Sequence, residues 1–329
     1  MSEFDFDVSI IIPVYNRKNY IPLSIQSVLG EADFRTEVIV IDDGSTDGSD
    51  EVIKTFGDEI IFLQKLNGGV SSARNTGLKA ARGRLVYFLD SDDLAIISAI
   101  KETLVLQEND GNTILVGKAT IFTDANSHAV SSRLYAIRDY QRGELISPIN
   151  IVSQVVSCSL CLYPRDLLRE IEGFDCNMSY GEDYDLNARC AIAGHKFFAT
   201  GIEIVKVRIH HGQRLSRSID AEQLQRLYTS ILRVVSEGQH IFNRVNTAQP
   251  YRQIARWMWT LGRLAYCHRL GEIGDMYTSL AEEMAGRECR VGSKVALLAY
   301  RLVSPKWYEF CSSLVKTVTG PLARRLKLD

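Results

Sequence analysis

Three carboxylates occupy four positions at the end of an apolar run, in the stretch YFLDSDD at positions 87–93. Two carboxylates about 4 Å apart repel each other by roughly 4 kcal/mol at the dielectric of a protein surface. A divalent cation would offset this repulsion, because acids at i and i+2 of an extended turn let one carboxylate reach a hard metal ion while the other points elsewhere. The alternative is that Asp92 or Asp93 caps a helix over 94–104. This stretch alone leaves both interpretations open.

A second acidic group, DDGSTDGSDE at positions 42–51, also follows an apolar run directly. Asp42 and Asp43 could accept hydrogen bonds from a nucleotide base or a ribose. The alternative is an ordinary strand-to-helix turn, in which Asp47 or Ser49 caps the helix. A calcium loop is disfavoured, because Lys54 stands where the twelfth position of such a loop requires a glutamate.

A third group, SYGEDYDLNARC at positions 179–190, contains Glu182, Asp183 and Asp185. The helix dipole favours acids in a first helical turn whether or not they have a function. The functional alternative is that one carboxylate is a general base, which takes a proton from an acceptor hydroxyl. Farther along, His210 and His211 stand at the end of a predicted strand, and one imidazole could complete a metal shell.

The elements that must position these groups alternate between strand and helix over the first hundred residues. This order predicts an α/β fold with a doubly wound, mostly parallel sheet that binds ligands at the carboxyl ends of its strands. Pro13 should stop the pairing of the first strand. No glycine-rich dinucleotide or phosphate loop follows that strand. The predicted strands are 8–15, 37–41, 60–64 and 85–89, and the predicted helices are 19–31, 49–56 and 69–82.

The pattern changes after the first hundred residues. Shorter β-like runs are predicted at 113–122 and 151–163, with helices at 165–172 and about 184–193 and a last strand at 205–212. Beyond Ser216 the apolar residues follow a helical period.

Composition and charge narrow the class of protein. The 46% hydrophobic and 24% charged content is that of an ordinary soluble protein, and no apolar run is long enough to span a membrane. An acidic N-terminus argues against export, and seven cysteines favour a reducing cytoplasm, with Cys158 and Cys161 as core or loop thiols.

The charge is distributed unevenly along the chain. Residues 221–329 hold 16 Lys and Arg against 9 Asp and Glu, so the first 220 residues carry a net charge of −9. The negative charge of the first 220 residues argues against nucleic acid as a partner, because binding to phosphates requires a basic surface. The tail from Arg290 onward has a net charge of +6. It could lie on an anionic membrane and meet a lipid-linked acceptor, or it could form a helical cap or a homodimer contact.

Together, these segments resemble the family 2 glycosyltransferases, a large inverting group with the GT-A fold. The resemblance implies a Rossmann-like catalytic domain over 1–218, with a nucleotide-sugar half at 1–100 and an acceptor half at 101–218. Residues 219–329 carry no family motif, and their helical period predicts a helical C-terminal extension. The matching stretches, in the family's order, are VSIIIPVYNRKNYIPLSIQSVL (8–29), EVIVIDDGSTDGS (37–49), NGGVSSARNTGLKAARGRLVYFLDSDD (67–93) and EGFDCNMSYGEDYDLNARCAIAGHKF (172–197).

The resemblance also implies roles for individual residues. In the family's D-x-D signature, Asp90 matches the acid nearer the ribose and Asp92 the acid that holds Mg²⁺ or Mn²⁺ on the diphosphate, with Ser91 between them in the donor site. Asp183 matches the catalytic base. His210 matches a histidine that is sometimes a metal ligand, although His211 could take its place. The residues that match the nucleoside pocket are Pro13, Tyr15, Asp42, Asp43 and Arg74.

The implied activity is inverting transfer of a sugar from a nucleotide-diphospho-sugar to an acceptor hydroxyl. Family weighting favours a UDP-linked donor, and a saccharide or lipid-linked saccharide acceptor in the synthesis of a cell-surface polysaccharide or glycolipid. Asn187 departs from the family, which often has a large aromatic residue there. Two alternatives stay open: a catalytically inactive module of the same fold that binds a partner, and a metal-dependent nucleotidyltransferase.

Overall fold

The structure is a computed structural model, and it describes residues 4–29, 34–106, 112–123, 140, 142–209, 220–238, 249–268 and 270–290. Contacts within the chain divide it into two compact units, Met1–Leu215 and Ser216–Asp329. The sequence placed the corresponding boundary at 218, a few residues away.

Strands and helices alternate through the first half of the N-terminal unit in the predicted order. The first helix is shorter than the predicted 19–31, since it ends at Gln26 and passes into a turn. The elements are β1 (Phe6–Val14), α1 (Ile21–Gln26), β2 (Thr36–Asp42), α2 (Ser49–Lys54), β3 (Ile61–Gln64), α3 (Val70–Ala80) and β4 (Gly83–Phe88).

The first four strands are all parallel, in the order β3-β2-β1-β4, within a sheet that has nine strands among the described residues. Ile10, Ile11 and Ile12 of β1 are fully buried, as a parallel strand covered on both faces requires. The chain moves outward from β1 to β2 and β3, and it then returns to the other side of β1 with β4. The strand order therefore reverses between β1 and β4, and ligands of open α/β sheets bind at such a reversal.

Pro13 does not end the pairing of β1, contrary to the sequence-based prediction. It lies opposite Ile41 in the β1–β2 ladder, which continues for one more pair. On the other side, the register with β4 ends at Ile11 and Phe88, and the Leu89 amide donates to the Ile11 carbonyl. The Ile11 carbonyl thus faces β4, and the backbone groups of Pro13, two residues farther along the strand, face the same side, where the two strands have already separated. The missing amide of Pro13 removes no ladder bond.

The second half of the N-terminal unit continues the sheet with reversed strands. β8 runs antiparallel between β4 and β6, and β9 runs parallel to β6 while β5 and β7 pair antiparallel with other parts of β9. These elements are β5 (Leu94–Ala95), α4 (Ile97–Val105), β6 (Thr113–Thr123), β7 (Glu144–Ile146), α5 (Pro148–Val152), β8 (Cys161–Pro164), α6 (Arg165–Glu170), α7 (Glu182–Ile192) and β9 (Lys196–Ile209).

Two predictions in this half are wrong. The β-like run 151–163 begins as the end of α5 and passes through a short 3-10 turn, so only its last residues are strand. Pro148 explains the difference, because proline at a first helical position favours a helix start. β9 begins at Lys196, nine positions before the predicted 205. Gly201, with a φ of 69°, and a register shift opposite it near Lys118 interrupt the alternation that would have revealed the strand.

The C-terminal unit contains the predicted helices, α8 (Ala221–Glu237), α9 (Gln249–Cys267) and α10 (Gly271–Ala285). Tyr277 on α10 donates a hydrogen bond to the Leu224 carbonyl on α8 at 2.8 Å, and Tyr266 on α9 donates to Asp275 at 2.8 Å. Aromatic hydroxyls thus fix the contacts of α10 with both neighbours. In the part of the chain that the structure describes, no helix is long and apolar enough to cross a membrane.

Helix α3 lies very close to the sheet at Gly77. A Cβ atom there would stand 2.5 Å from Ile11 Cγ2 and 2.8 Å from Ile41 Cδ1, so glycine lets the helix approach β1 and β2.

We expect Gly77→Ala to destabilise the protein. Alanine gains about 1 kcal/mol in intrinsic helix propensity, but overpacking a core costs about 1–3 kcal/mol. The measurement is the thermal unfolding midpoint, which should fall by a few degrees. Lys79→Ala, at an exposed position of the same helix, should leave the midpoint nearly unchanged. A midpoint raised by Gly77→Ala would contradict the close approach.

Candidate active site

Helix α3 uses one polar face to hold the loop that leads into α7. Ser71, Arg74 and Asn75 share this face, because residues three and four apart are neighbours on a helix. Ser71 Oγ donates to the Met178 carbonyl at 2.8 Å. Asn75 donates to the Phe174 carbonyl at 2.7 Å and accepts from the Phe174 amide at 2.9 Å. These contacts bring the start of α7 to the carboxyl end of β4.

The buried guanidinium of Arg74 joins acids from the two halves of the unit. Its Nη2 donates to Asp90 Oδ1 at 2.9 Å, and its Nη1 donates to Glu182 Oε1 at 3.1 Å and to Asp183 Oδ1 at 3.4 Å. The guanidinium also lies over the ring of Phe174, 5.1 Å from its centroid. The side chain of Arg74 is only 4% exposed, whereas that of Asp90 is 39% exposed. Asp90 can therefore pair with Arg74 and still be reached by a ligand from solvent.

Asp92, the predicted metal ligand, faces a second arginine. Arg17 Nε, from the loop after β1, lies 3.5 Å from Asp92 Oδ2. This contact spans the gap where β1 and β4 separate. Arg17 was not among the predicted site residues, although its position in the YNR stretch directly after β1 was an available signal.

Asp93 does not cap the following helix, and neither does Asp92. α4 begins only at Ile97, after the short strand β5, and no side chain caps it. Asp93 Oδ1 instead accepts the backbone amide of Arg208 at 2.8 Å, and Arg208 Nε donates to the Asp92 carbonyl at 2.9 Å. Pairing of β5 with β9 places these groups side by side, so Arg208 anchors the acidic turn to β9.

Arg208 is buried between two aromatic rings. Its guanidinium carbon lies 4.5 Å from the ring centroid of Phe122 and 5.3 Å from that of Tyr20. Cation–π contacts of this kind hold the flat guanidinium in one orientation. The sequence reasoning missed this residue, since its partners are close only after β9 has paired with β5.

Asp42 and Asp43, predicted for the nucleoside pocket, both hold loops at the end of β2. Asp42 accepts from the Ser45 amide and from Gln64 Nε2, each at 3.0 Å. Asp43 accepts from Lys65 Nζ at 2.6 Å and from the amides of Gly68 and Gly69 at 3.0 and 2.8 Å. Gly69 immediately precedes α3, where the helix dipole also favours a carboxylate.

Hydrogen bonds join the loop after β1 to the loop after β2. The amides of Asn16, Arg17 and Lys18 donate to side chains of the loop after β2 and of the first residue of α2, each at 3.0 Å. Asn16 adopts a positive φ of 51°. The acceptors are Ser45, Ser49 and Asp47, in that order. Among the other predicted donor residues, Tyr15 is 48% exposed, whereas Pro13 and Ser91 are buried.

Asp183, the predicted base, is held from two sides. Arg74 contacts its Oδ1, and Ser157 Oγ donates to its Oδ2 at 3.2 Å. Asn187, one helical turn along α7, donates to the Val156 carbonyl at 2.9 Å. Asn187 is buried, and its hydrogen bond fixes the segment that carries Ser157. This hydrogen bond explains why a polar residue stands at position 187. Ser157 was missed because it lies in the run mistaken for a strand.

Asp185 has a different environment from its acidic neighbours. It is buried and accepts from Arg189 Nε at 2.8 Å. Arg189 also donates to the carbonyls of Ile171 and Gly173, each at 2.6 Å. Asp185 therefore fixes the turn at the start of the loop that ends at α7.

The pKa of the Glu182 carboxyl is raised to about 7. The first cause is burial, which disfavours the charged form, and the second is the charge of Asp183, while Arg74 opposes the rise. Glu182 therefore changes charge near neutrality beside the predicted base.

The acids at the end of β4 fit a hard divalent cation in donor type, since carboxylate oxygens are the ligands of Mg²⁺ and Mn²⁺. Asp92 already lies beside one cation, the Arg17 guanidinium. Among the described residues, no cluster of three or more His, Cys, Asp or Glu side chains could enclose a metal by itself. His210 and His211 follow the end of β9 and lie outside the described residues, so the histidine ligand stays a prediction.

The fold is the GT-A fold of glycosyltransferases. The model of the family "Glycosyl transferase family 2" matches residues 9–172. An uncharacterized glycosyltransferase of Rickettsia typhi is 30% identical over 254 residues, which are 75% of this chain and 78% of the relative. Another, from Rickettsia prowazekii, is 29% identical over 84% of this chain and 89% of its own length. The chain therefore belongs to glycosyltransferase family 2.

Two further proteins resemble this chain. The minor teichoic acid biosynthesis protein GgaB of Bacillus subtilis is 31% identical over 56% of this chain, which spans 21% of GgaB. Among solved structures, S. aureus TarS 1–349 in complex with UDP-GlcNAc superposes with a TM-score of 0.66 at 18% identity, over 95% of this chain and 92% of that one. This likeness confirms the predicted GT-A fold.

We expect the raised pKa of Glu182 to make stability depend on pH. Glu182 binds its proton more tightly in the folded protein, so its contribution is fully present below about pH 4.5 and is lost as the pH rises through about 7. The free energy of unfolding of the wild type relative to Glu182→Gln should fall by up to about 3 kcal/mol between pH 4.5 and 8.

Urea unfolding at several pH values measures this difference. Glu59→Gln, which removes an exposed carboxylate, controls for the loss of one charge. A difference between wild type and Glu182→Gln that stays constant with pH would contradict the raised pKa.

Proposed function

We propose that this protein is an inverting glycosyltransferase that moves a sugar from a nucleotide-diphospho-sugar to an acceptor hydroxyl. The observation that carries the proposal is the Arg74 cluster. One buried guanidinium pairs with Asp90, the donor-side acid, and with Asp183, the proposed base. The acid proposed to contact the donor and the acid proposed to activate the acceptor would thus be held side by side by one buried guanidinium, at the carboxyl end of β4.

The proposed donor is a UDP-linked sugar. Support comes from the fold, because TarS, which shares it, was solved with UDP-GlcNAc and with UDP. Tyr15 is exposed at the end of β1, where a base could stack on its ring. Asp42 and Asp43 would act on the nucleoside through the loops that they hold as well as through any direct contact.

The proposed cofactor is Mg²⁺ or Mn²⁺, held by Asp92 and, as the resemblance suggests, by His210. When bound, the ion would neutralise the diphosphate and stabilise it as a leaving group. Mg²⁺ is commonly bound by one or two carboxylates together with substrate phosphates, which suits a site with few protein ligands.

Asp183 would act as the general base. Its carboxylate would take the proton of the acceptor hydroxyl, whose oxygen would form a bond to the anomeric carbon on the face opposite the diphosphate. The bond from that carbon to the diphosphate oxygen would break, and the leaving group would keep the electron pair. Ser157 and Arg74 would hold Asp183 in the orientation that this transfer needs.

The proposed acceptor is a saccharide or a lipid-linked saccharide in the synthesis of a cell-surface polysaccharide or glycolipid. GgaB, named for teichoic acid biosynthesis, supports a role in surface polymers. The proposed site of action is the cytoplasm, with a possible position on the inner face of the cell membrane.

A panel of nucleotide sugars tests the activity. A true donor should raise the thermal midpoint in the presence of Mn²⁺ but not with EDTA. NMR of the product should then show the inverted anomeric configuration. Binding without transfer would indicate an inactive binding module, and release of pyrophosphate from a nucleoside triphosphate would indicate a nucleotidyltransferase.

We expect Asp183→Asn to lower turnover by at least about 100-fold, because general base catalysis contributes about 10²–10⁴-fold. Donor affinity should stay near that of the wild type, since the amide keeps the shape of the side chain. Initial rates and UDP titrations measure the two effects separately. A near-normal rate would overturn the assignment of the base.

The basic tail from Arg290 carries a separate prediction about membrane contact. Residues 291–329 lie outside the described residues, so the argument rests on their net positive charge and their apolar content. Full-length protein should co-sediment with anionic liposomes at low salt, and a chain that ends at 289 should not. Equal co-sedimentation of the two would favour a helical cap or a homodimer contact for the tail.

A further inference from the structure

Arg17 stands where the two sheet neighbours β1 and β4 separate. Its Nε lies 3.5 Å from Asp92 Oδ2, and the two side chains are 23% and 21% exposed. The carboxylate that the proposed function gives to the metal is therefore already beside a protein cation, at a place that solvent reaches.

The backbone of Arg17 is fixed while its side chain is long and partly exposed. The Arg17 amide donates to Ser49 Oγ at 3.0 Å, and Nη1 donates to the neighbouring Asn16 carbonyl at 3.1 Å. The hydrogen bond from its amide to Ser49 holds the backbone of Arg17 independently of the side-chain contact with Asp92, so a change of rotamer would break the side-chain contacts but not this anchor. Arg74 differs in this respect, because it is buried and contacts its acids at distances down to 2.9 Å.

We propose that Arg17 is an exchangeable counter-ion of Asp92, which it neutralises in the donor-free protein. When a divalent cation binds Asp92, the guanidinium leaves the carboxylate and binds the diphosphate of the donor. The inference rests on the proposed function, because it takes Asp92 as the acid that holds the metal.

The charges of Arg17, the divalent cation and the diphosphate explain why Arg17 should leave Asp92 only when the donor binds. A guanidinium and a divalent cation at the same carboxylate repel each other, so Arg17 lowers the affinity of the free protein for the metal alone. The diphosphate of the donor carries negative charge, which offsets the repulsion between the Arg17 guanidinium and the divalent cation. Guanidinium groups also bind phosphate oxygens strongly. Arg17 should therefore oppose metal binding before the donor arrives and favour donor binding afterwards.

The test is a pair of affinities with opposite expected changes in Arg17→Gln. The affinity for Mn²⁺ alone, measured by calorimetry on the full-length protein, should rise about two- to fivefold, since a partly exposed ion pair is removed. The affinity for UDP at saturating Mn²⁺ should fall about tenfold or more, since a charged contact to phosphate is lost.

Two control variants make the result of Arg17→Gln decisive. Lys18→Gln removes the adjacent positive charge and should leave the affinity for Mn²⁺ alone unchanged. Arg17→Lys keeps the charge and should keep that affinity within about twofold of the wild type. An unchanged or lower affinity of Arg17→Gln for Mn²⁺ would overturn the inference.

Asp92→Asn separates this inference from the proposed function. If Asp92→Asn leaves Mn²⁺ binding intact, the metal assignment in the proposed function is wrong. If Asp92→Asn weakens Mn²⁺ binding while Arg17→Gln does not strengthen it, the counter-ion inference alone is wrong. Thermal unfolding of each variant shows that the fold is kept.

Discussion

The crowding of three carboxylates at the end of β4 is the constraint on which the rest of the N-terminal unit depends. Asp90 and Asp92 each lie beside an arginine guanidinium, whereas Asp93 accepts the backbone amide of Arg208, and the three arginines come from different segments of the chain. Arg74 on α3 pairs with Asp90, Arg17 after β1 faces Asp92, and Arg208 on β9 contacts the turn at Asp92 and Asp93. Compensation of this charge therefore draws three distant segments together at the strand end.

The arginines differ in how firmly they are held, and the difference divides the site into a fixed part and an adjustable part. Breaking a buried ion pair costs about 3–5 kcal/mol, whereas an exposed pair is worth about 0–1 kcal/mol. Arg74 and Arg208 are buried and also lie against aromatic rings. Arg17 is the accessible member. A site built in this way keeps its geometry while one partly exposed ion pair, between Arg17 and Asp92, can respond to ligands.

The sequence predicted most of the parallel sheet and the acids of the cleft, because buried parallel strands leave long apolar runs and their ends carry the polar residues. It failed where a short apolar run could be helix or strand, as at 151–163, and so Ser157 was missed. It also failed at Asp93, whose partner Arg208 is distant in sequence and near only after β5 and β9 pair. Local sequence patterns predict individual helices and strands, whereas contacts between residues distant in sequence can be predicted only when the register of the paired strands is known.

The clamp of Asp43 on the loop before α3 links two functions that look separate in the sequence. Asp43 holds Gly68 and Gly69, Gly69 leads directly into α3, and α3 carries Arg74 to Asp183. If the proposed roles hold, a residue of the nucleoside pocket would thereby also set the orientation of the general base through one short helix. Natural variation at Asp43 would then be constrained twice, by recognition of the nucleotide and by the position of Asp183.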